Sequence, residues 1–288
     1  MLKHRLIFGT LMTLLFAGLV LFDAWLDGSL DPNHGPLGLQ AHLLCAMILI
    51  LTIPAILELA KLARTRDTHI FLPIAIPVTL VIETLCYWMQ YGYLQSYGLL
   101  IVLYVLCISV LSSFILQAWL FGTQNVLKNC SATVFSILYL GLLCSFILGI
   151  RIDYGPWAFL MFIFTVKCSD IGAYTFGRLF GKHKMALTIS PGKTWEGLGG
   201  SVISASITGY LFALLCGIMQ PALGLLFGAV FGVLGQLGDL AESMLKRDAA
   251  AKDSSVLIPG FGGILDVIDS PLATAPAAYA FFMLCCGI

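Results

Sequence analysis

Long apolar runs alternate with short polar connections along nearly the whole chain. The hydrocarbon core of a bilayer is about 30 Å thick and needs about 20 consecutive apolar residues per helix. Apolar stretches of suitable length lie at 6–26, 40–62, 70–89, 98–121, 131–150, 156–180, 197–218, 221–245 and 270–287. The pattern therefore predicts an all-α, polytopic integral membrane protein with about nine transmembrane helices.

The composition supports the same class of protein. Hydrophobic residues make up 59% of the chain and charged residues only 10%, whereas a soluble domain carries about 25% charged residues. The net charge is zero, so we expect no nucleic-acid partner. Most of the nine cysteines lie inside apolar runs without zinc-finger spacing, and we interpret them as packing residues. The first apolar run lacks a small-residue cleavage site and is interpreted as a retained helix.

Basic residues are confined to alternate connections. They precede the first predicted helix and follow the second, fourth, sixth and eighth, at Lys3, Arg5, Lys61, Arg64, Arg66, Lys128, Arg178, Lys182, Lys184, Lys193, Lys246, Arg247 and Lys252. With nine helices these positions share one side, which the positive-inside rule assigns to the cytoplasm. The opposite connections hold no Lys or Arg except Arg151. We therefore expect a multi-pass protein of the cell membrane with a cytoplasmic N-terminus.

Polar residues are also unevenly distributed along the chain. Residues 1–150 carry few intramembrane charges, of which Glu58 and Glu83 are the most notable. In residues 151–288 the polar residues concentrate at helix ends that share the predicted cytoplasmic side. We interpret the first range as a transmembrane scaffold and the second as the half that carries a site, within one continuous membrane domain.

The first polar cluster lies near the end of the sixth predicted helix. Asp170 and Arg178 are eight residues apart and share a helix face, and Gly172 allows another backbone to approach closely. A charged residue at the centre of a membrane helix costs at least about 2.5–3.5 kcal/mol, so it normally faces a partner or a wet cavity. Alternatively, Asp170 pairs with Lys167 or Arg178 only to hold helices together.

The second cluster is the run SPGKTWEGLGG, residues 190–200. Its Pro-Gly pair predicts a turn, and Thr194 is suited to cap the following helix. Lys193 precedes that helix start, where free backbone N–H groups favour an anion. The alternative is a solvated turn anchored by Trp195 at the membrane interface.

The third cluster spans residues 235–270. The eighth helix ends in a charged extension with two stripes, one holding Asp239, Ser243 and Arg247 and the other Glu242 and Lys246. After a glycine-rich turn, Asp266 and Asp269 begin the return into the membrane. Carboxylates from two segments suit Mg²⁺, and neighbouring basic residues suit phosphate oxygens. This combination is typical of phosphoryl or nucleotidyl transfer. Binding of anionic lipid heads would explain the basic residues but not the acidic ones.

Taken in order, these clusters resemble three stretches of the phosphatidate cytidylyltransferases, also called CDP-diacylglycerol synthases. The run Ser243-x-x-Lys246-Arg247-x(4)-Lys252-Asp253, followed by Pro259-Gly260-x-Gly262-Gly263-x-x-Asp266-x-x-Asp269, is similar to the family signature. The upstream runs SDIGAYTFGRLFGKHK and ISPGKTWEG resemble its other well-known stretches. The resemblance covers about 100 residues of the second half of the chain.

The resemblance implies a reaction in which CTP and phosphatidate give CDP-diacylglycerol and pyrophosphate with Mg²⁺. It implies catalytic roles for Asp239, Asp266, Lys246 and Arg247. It implies metal ligation by Asp239 and Asp266 first, then by Asp170. It implies substrate binding by Lys193, Ser190, Ser243, Lys252, Arg178 and Asp269. The expected partners are CTP, phosphatidate and the bilayer, and the sequence is compatible with a homodimer.

The chain departs from the family pattern at two positions inside the signature. Phe261 stands where the family usually has His, and Val267 stands where it usually has Arg. We expect Lys252, Arg247 or Lys193 to supply the missing charge, which would give a slower or differently balanced enzyme. The alternatives are a cytidylyltransferase for another lipid phosphate, a catalytically weakened family member and, least favoured, an ion-coupled transporter.

Overall fold

The computed structural model describes residues 2–30, 38–251, 254–255 and 262–286, with side chains from residue 12 onward. The first half contains α1 (Leu2–Leu26), α2 (His42–Arg64), α3 (Leu72–Glu83), α4 (Leu85–Met89), α5 (Gly92–Gln95), α6 (Gly98–Phe121), α7 (Val126–Ser136), a π-helical segment (Ile137–Leu142) and α8 (Leu143–Asp153). The second half contains α9 (Gly155–Phe180), β1 (Lys184–Ala186), β2 (Ser190–Thr194), α10 (Trp195–Cys216), α11 (Pro221–Asp248) and α12 (Leu265–Cys286).

The helices confirm the predicted all-α membrane architecture. In the described ranges, seven helices are long and apolar enough to span a bilayer: His42–Arg64, Gly98–Phe121, Val126–Asp153, Gly155–Phe180, Trp195–Cys216, Pro221–Asp248 and Leu265–Cys286. Two shorter apolar helices, Met12–Leu26 and Leu72–Glu83, fall within the first and third predicted spans. The protein is therefore a multi-pass membrane protein, and the count of nine spans stays a prediction.

The third predicted span is not one continuous helix. It is interrupted at Thr84, between α3 and α4. The Thr84 hydroxyl donates to the Leu80 carbonyl at 2.7 Å, a side-chain-to-backbone hydrogen bond of the kind that bends helices. The apolar run thus predicted the position of this helical segment but not its interruption at Thr84.

A short antiparallel hairpin between α9 and α10 is the one sheet in the described residues. Lys184 lies opposite Thr194, and Ala186 lies opposite Ser190. The strands are too short to give a period-two pattern, which is why the sequence did not predict them. Thr194 ends β2 and caps α10, because its hydroxyl accepts the Gly197 N–H at 3.1 Å. The predicted capping role of Thr194 is confirmed.

Helix α10 packs closely against both α9 and α11 through small residues. A Cβ atom at Gly172 would overlap Ser204 and the Gly200 carbonyl. In the same way, the backbones of Gly209 and Gly224 leave no room for a side chain between α10 and α11. Close backbone approach through small residues is typical of membrane helix pairs, and it makes these helices a fixed platform.

Three of the basic connections meet at one end of the bundle, here called the site end. Arg66, just after α2, pairs with Asp248 at the end of α11 at 3.7 Å. The Arg247 Nε donates to the Ile189 carbonyl of the hairpin connection at 3.1 Å. The ends of α2 and α11 and the hairpin therefore lie together, as the alternation of basic connections predicts.

The exceptional Arg151 lies near the start of α2, at the other end of that helix. Its side chain is completely buried, and its Nη2 lies 3.0 Å from Asp27 Oδ2 and 3.9 Å from Asp23 Oδ2. Asp27 Oδ2 also accepts the Ala41 N–H at 3.0 Å, next to the start of α2. Arg151 thus serves as a paired structural charge that links α8 to α1 and α2, which accounts for its place among connections without basic residues.

Candidate active site

A cavity of about 330 Å³ opens between α9, the hairpin, α10 and α11 at the site end. Its volume lies at the lower end of the range typical of ligand sites, about 300–1,000 Å³. The predicted site residues that line it are Asp170, Arg178, Ser190, Lys193 and Asp239. Residues from all three polar clusters, which are far apart in sequence, thus line the same cavity.

Lys193 connects the hairpin to α11. Its Nζ lies 2.9 Å from Asp239 Oδ2 and donates to the Gln236 carbonyl at 2.8 Å. The Lys193 side chain is only 12% exposed and that of Asp239 is 36% exposed, so the pair is buried on the lysine side and open on the carboxylate side. The packing of β2 on α11 therefore holds a cation and an anion at the cavity surface.

Asp170 faces the same cavity from α9. Its Oδ1 accepts from the Gln236 side-chain amide at 3.3 Å, and its Oδ2 lies 3.7 Å from Lys167 Nζ. Lys167 also donates to the Val267 carbonyl of α12 at 2.8 Å. The pairing of Asp170 with Lys167, which the sequence left open, is therefore present, and Asp170 also lines the cavity.

Three carboxylates from two helices form an acid group beside Asp170. Ligand oxygens of Asp239, Glu242 and Asp269 lie within 4.8 Å of one another. Glu242 and Asp269 are buried, at 2% and 6% exposure. Glu242 Oε1 accepts no hydrogen bond from any residue within the described ranges. Such a spacing of carboxylate oxygens suits a divalent cation.

Glu242 is a member of this group that the sequence analysis did not select as a site residue. It follows Asp239 by three positions on the same helix, and that spacing was the available signal. The sequence placed Glu242 on one helical stripe with Lys246, and in the structure the two side chains form a close ion pair.

Asp266 is not among the three carboxylates of the acid group. Its Oδ1 lies 2.5 Å from Lys246 Nζ. Its Oδ2 accepts from the Gly263 N–H at 2.7 Å and from the Ser254 N–H and hydroxyl at 3.1 and 2.9 Å. Lys246 therefore bridges Glu242 of α11 and Asp266 of α12. In the structure Asp239 is grouped with Asp269 and not with Asp266, and metal ligation by Asp266 stays a prediction.

The remaining predicted residues lie around this centre. Arg247 donates to backbone carbonyls, one of them that of Ile189, and does not line the cavity. The Ser243 hydroxyl lies 3.5 Å from Asp239 Oδ1, at the limit of a hydrogen bond. Lys252 falls outside the described residues. Arg247 thus ties α11 to the hairpin connection.

Several curated proteins of similar sequence are named phosphatidate cytidylyltransferase. The chain is 42% identical over 164 residues to the phosphatidate cytidylyltransferase of Mycobacterium bovis, covering 56% of this chain and 53% of that protein. It is 39% identical over 150 residues to that of Bacillus subtilis, covering 51% and 56%. It is also 38% identical over 136 residues to the uncharacterized protein YnbB of Escherichia coli, covering 47% and 46%.

The chain spans about half the length of these curated relatives. The sequence profile of the cytidylyltransferase family, in contrast, matches residues 36–285, which is most of the chain. That range includes the cavity, the acid group and the lysines beside them. The chain therefore belongs to the cytidylyltransferase family.

Proposed function

We propose that this protein transfers CMP from CTP to phosphatidate, releasing CDP-diacylglycerol and pyrophosphate. The observation that carries the proposal is the cavity at the site end, which Asp170, Asp239, Lys193 and Arg178 line and whose Asp239 also belongs to the acid group. A site at a helix-bundle end allows a water-soluble nucleotide to meet a lipid that stays in the bilayer. The names of the similar curated proteins support the same substrates.

We propose Mg²⁺ as the cofactor, held by Asp239, Glu242 and Asp269. Carboxylate oxygens are ligands that Mg²⁺ prefers, and the buried Glu242 Oε1 accepts no hydrogen bond from the described part of the chain. When bound, the ion would neutralise phosphate charge and polarise a phosphoryl oxygen. Asp170 lies on the cavity wall as a further ligand candidate, whereas both oxygens of Asp266 already accept from protein donors.

In the proposed reaction, a phosphate oxygen of phosphatidate attacks the α-phosphorus of CTP. A new P–O bond forms while the bond to the bridging oxygen breaks, and pyrophosphate leaves with the electron pair. The Lys193 ammonium has three N–H donors, and Gln236 and Asp239 take two of them. The third is suited to a phosphate oxygen, and the guanidinium of Arg178 offers a planar pair of donors. These charges would stabilise the leaving pyrophosphate.

Lys246 would act from outside the cavity. It pairs with Glu242 on α11 and Asp266 on α12, so it holds the two helices that carry the acid group. Without it, Glu242 and Asp266 would face each other as like charges. We therefore assign Lys246 a positioning role rather than a direct role in the reaction.

The proposal is tested with membranes from cells that overproduce the chain. Membranes are incubated with labelled CTP, Mg²⁺ and phosphatidate, or with other lipid phosphates in place of phosphatidate. We expect a CTP-dependent liponucleotide with phosphatidate and little with the others. A strong preference for another lipid phosphate would reassign the acceptor, and no liponucleotide with any lipid would contradict the proposed activity.

We further propose that the protein lies in the cell membrane with the site end facing the cytoplasm. The support is the concentration of Lys and Arg in the connections of that end. Arg151 is the one basic residue in the connections of the opposite end. Because it is buried and paired with Asp27, it does not count against this orientation.

This orientation predicts opposite labelling of two exposed positions. In intact cells, a membrane-impermeant thiol reagent should label Gln220→Cys, in the connection between α10 and α11. The same reagent should label Lys184→Cys, on β1, only after permeabilisation. The parent chain, with its nine cysteines, provides the background signal. Labelling of Lys184→Cys from outside would contradict the orientation.

A further inference from the structure

Glu58 of α2 holds the chain that leads into α12. Its carboxylate accepts four hydrogen bonds, from the Ser254 and Ser255 hydroxyls at 3.0 and 2.6 Å and from the Ile264 and Leu265 N–H groups at 3.0 Å each. The side chain is only 4% exposed. A residue of the scaffold range is therefore bonded to both described sides of the connection between α11 and α12.

These bonds satisfy groups that a helix cannot satisfy by itself. The first N–H groups of a helix have no intrahelical partner, and the positive end of the helix dipole favours a carboxylate there. Leu265 is the first residue of α12, and Ile264 directly precedes it. Glu58 thus acts as a cap supplied by another helix, and it replaces the side-chain cap that α12 would otherwise need.

The same bonds lead directly to the charged centre. The Ser254 hydroxyl lies between the two carboxylates, 3.0 Å from Glu58 Oε2 and 2.9 Å from Asp266 Oδ2. A Cβ at Gly263 would overlap both Ser254 and Glu58, so these side chains pack directly against the backbone there and leave no room for a side chain. Asp266 in turn binds Lys246, which pairs with Glu242 of the acid group.

We infer that Glu58 is a positioning residue of the proposed active site, which fixes the start of α12 and, through it, the acid group. The inference rests on the proposed function for the part that concerns turnover. Glu58 is not among the residues of the cavity wall, so its effect on the reaction is indirect. Asp269 lies one turn after the start of α12, so its position depends on where that helix start is held.

Glu58→Gln is the sharpest change, because it keeps the size of the side chain and removes its charge. An amide NH₂ cannot accept a hydrogen bond, so the N–H of Ile264 or Leu265 loses its acceptor. The start of α12 should then open more often, and Asp269 should hold its position beside Asp239 less firmly. Turnover should fall, and a higher Mg²⁺ concentration should be needed for half-maximal rate.

The experiment compares purified full-length chains carrying Glu58→Gln, Ser254→Ala or the control Glu83→Gln. Glu83 is also a buried membrane glutamate, but it accepts from Thr52 inside the scaffold range. Amide hydrogen exchange of residues 262–266 is measured without Mg²⁺ or CTP, so it does not depend on activity. The kcat and the half-saturating Mg²⁺ concentration are measured separately, and thermal unfolding reports overall stability.

We expect Glu58→Gln to speed exchange at 262–266 by ~10-fold or more and to lower kcat by a similar factor. Ser254→Ala should also speed exchange at 262–266 and lower kcat, by smaller factors than Glu58→Gln. It is the variant used for the test if Glu58→Gln does not fold. Glu83→Gln should leave exchange at 262–266 and the Mg²⁺ requirement unchanged.

The inference is overturned if Glu58→Gln, or Ser254→Ala in its place, matches Glu83→Gln in local exchange and in Mg²⁺ requirement. If the parent chain transfers no CMP, the proposed function fails by itself. Faster local exchange in Glu58→Gln would still support the role of Glu58 in fixing the start of α12.

Discussion

Replacing Asp239 with Asn is expected to abolish CMP transfer while the helix bundle stays folded. Asp239 is the residue that joins the cavity wall to the acid group, and it also pairs with Lys193 at 2.9 Å. Asn keeps the shape but removes the charge that would bind Mg²⁺ and orient Lys193. Loss of one preorganised electrostatic group costs about 10²–10³ in rate, and a residue with two such roles should lie at the upper end.

The same change should have little effect on stability. The Asp239 side chain is 36% exposed, and partly exposed ion pairs contribute about 1 kcal/mol or less. The matched control is Asp248→Asn at the end of the same helix, where the pair with Arg66 is exposed at 75% and 56%. The kcat and thermal unfolding of the purified variants are measured side by side. Activity of Asp239→Asn close to that of Asp248→Asn would contradict the assignment.

Lys167→Met is expected to lower kcat by about 10- to 100-fold. Lys167 Nζ lies 3.7 Å from Asp170 and 2.8 Å from the Val267 carbonyl, so its positive charge lies next to the backbone of the position where the family usually has Arg. Its loss would leave Asp170 unpaired beside the acid group, at a cost of about 1.5–3 kcal/mol for a hydrogen bond to a charged group. The expected substitutes for the missing charge were other basic residues, and Lys167 was considered only as a structural partner of Asp170.

A second substitution tests whether Lys167 compensates for Val267. Val267→Arg in the Lys167→Met background should recover much of the lost kcat, because it supplies a cation from the residue whose carbonyl Lys167 contacts. Lys167→Arg is the control that keeps the charge, and it should retain most of the activity. Full activity of Lys167→Met, or a double variant no better than the single one, would show that this charge is not needed.

The helices were largely predictable because the bilayer imposes a minimum length on apolar runs. Each predicted span contains a helix, which is interrupted inside the run at 70–89 and contains a π-helical segment at 131–150. Their polar ends were harder to predict. Helix α12 begins at Leu265 rather than near 270, because a carboxylate from another helix caps it there. The hairpin escaped prediction because its strands span only three and five residues.

The candidate site was predictable as a set of residues but not as a set of contacts. The sequence placed the polar clusters that contain Asp170, Lys193 and Asp239 on one predicted side of the membrane, and in the structure these three residues line one cavity. It could not decide whether Asp266 or Asp269 faces α11, because residues three apart share a helix face. In the structure Asp266 pairs with Lys246, and the carboxylate of Glu58 accepts the Leu265 N–H at the start of α12. Neither contact is visible in local sequence spacing.

The predicted scaffold range, residues 1–150, also contacts the helix that carries Asp266 and Asp269. Helix α2 carries Glu58, which bonds the residues before α12, and α12 packs against α2 and α8. Contacts between residues about 200 positions apart leave no local pattern in a sequence. The assignment of residues 1–150 as a scaffold stays a prediction, and in the structure this range contributes directly to the position of α12.

The central claim is that the purified chain transfers the α-phosphorus of CTP to a lipid phosphate. CTP labelled at the α-phosphate or at the γ-phosphate is incubated with phosphatidate and Mg²⁺, and the label in the lipid fraction is measured. We predict that the lipid carries α-label and no γ-label and that an equal amount of pyrophosphate is released. Asp239→Asn should give neither labelled lipid nor pyrophosphate. Transfer of the γ-label, or no lipid label from either CTP, would contradict the account.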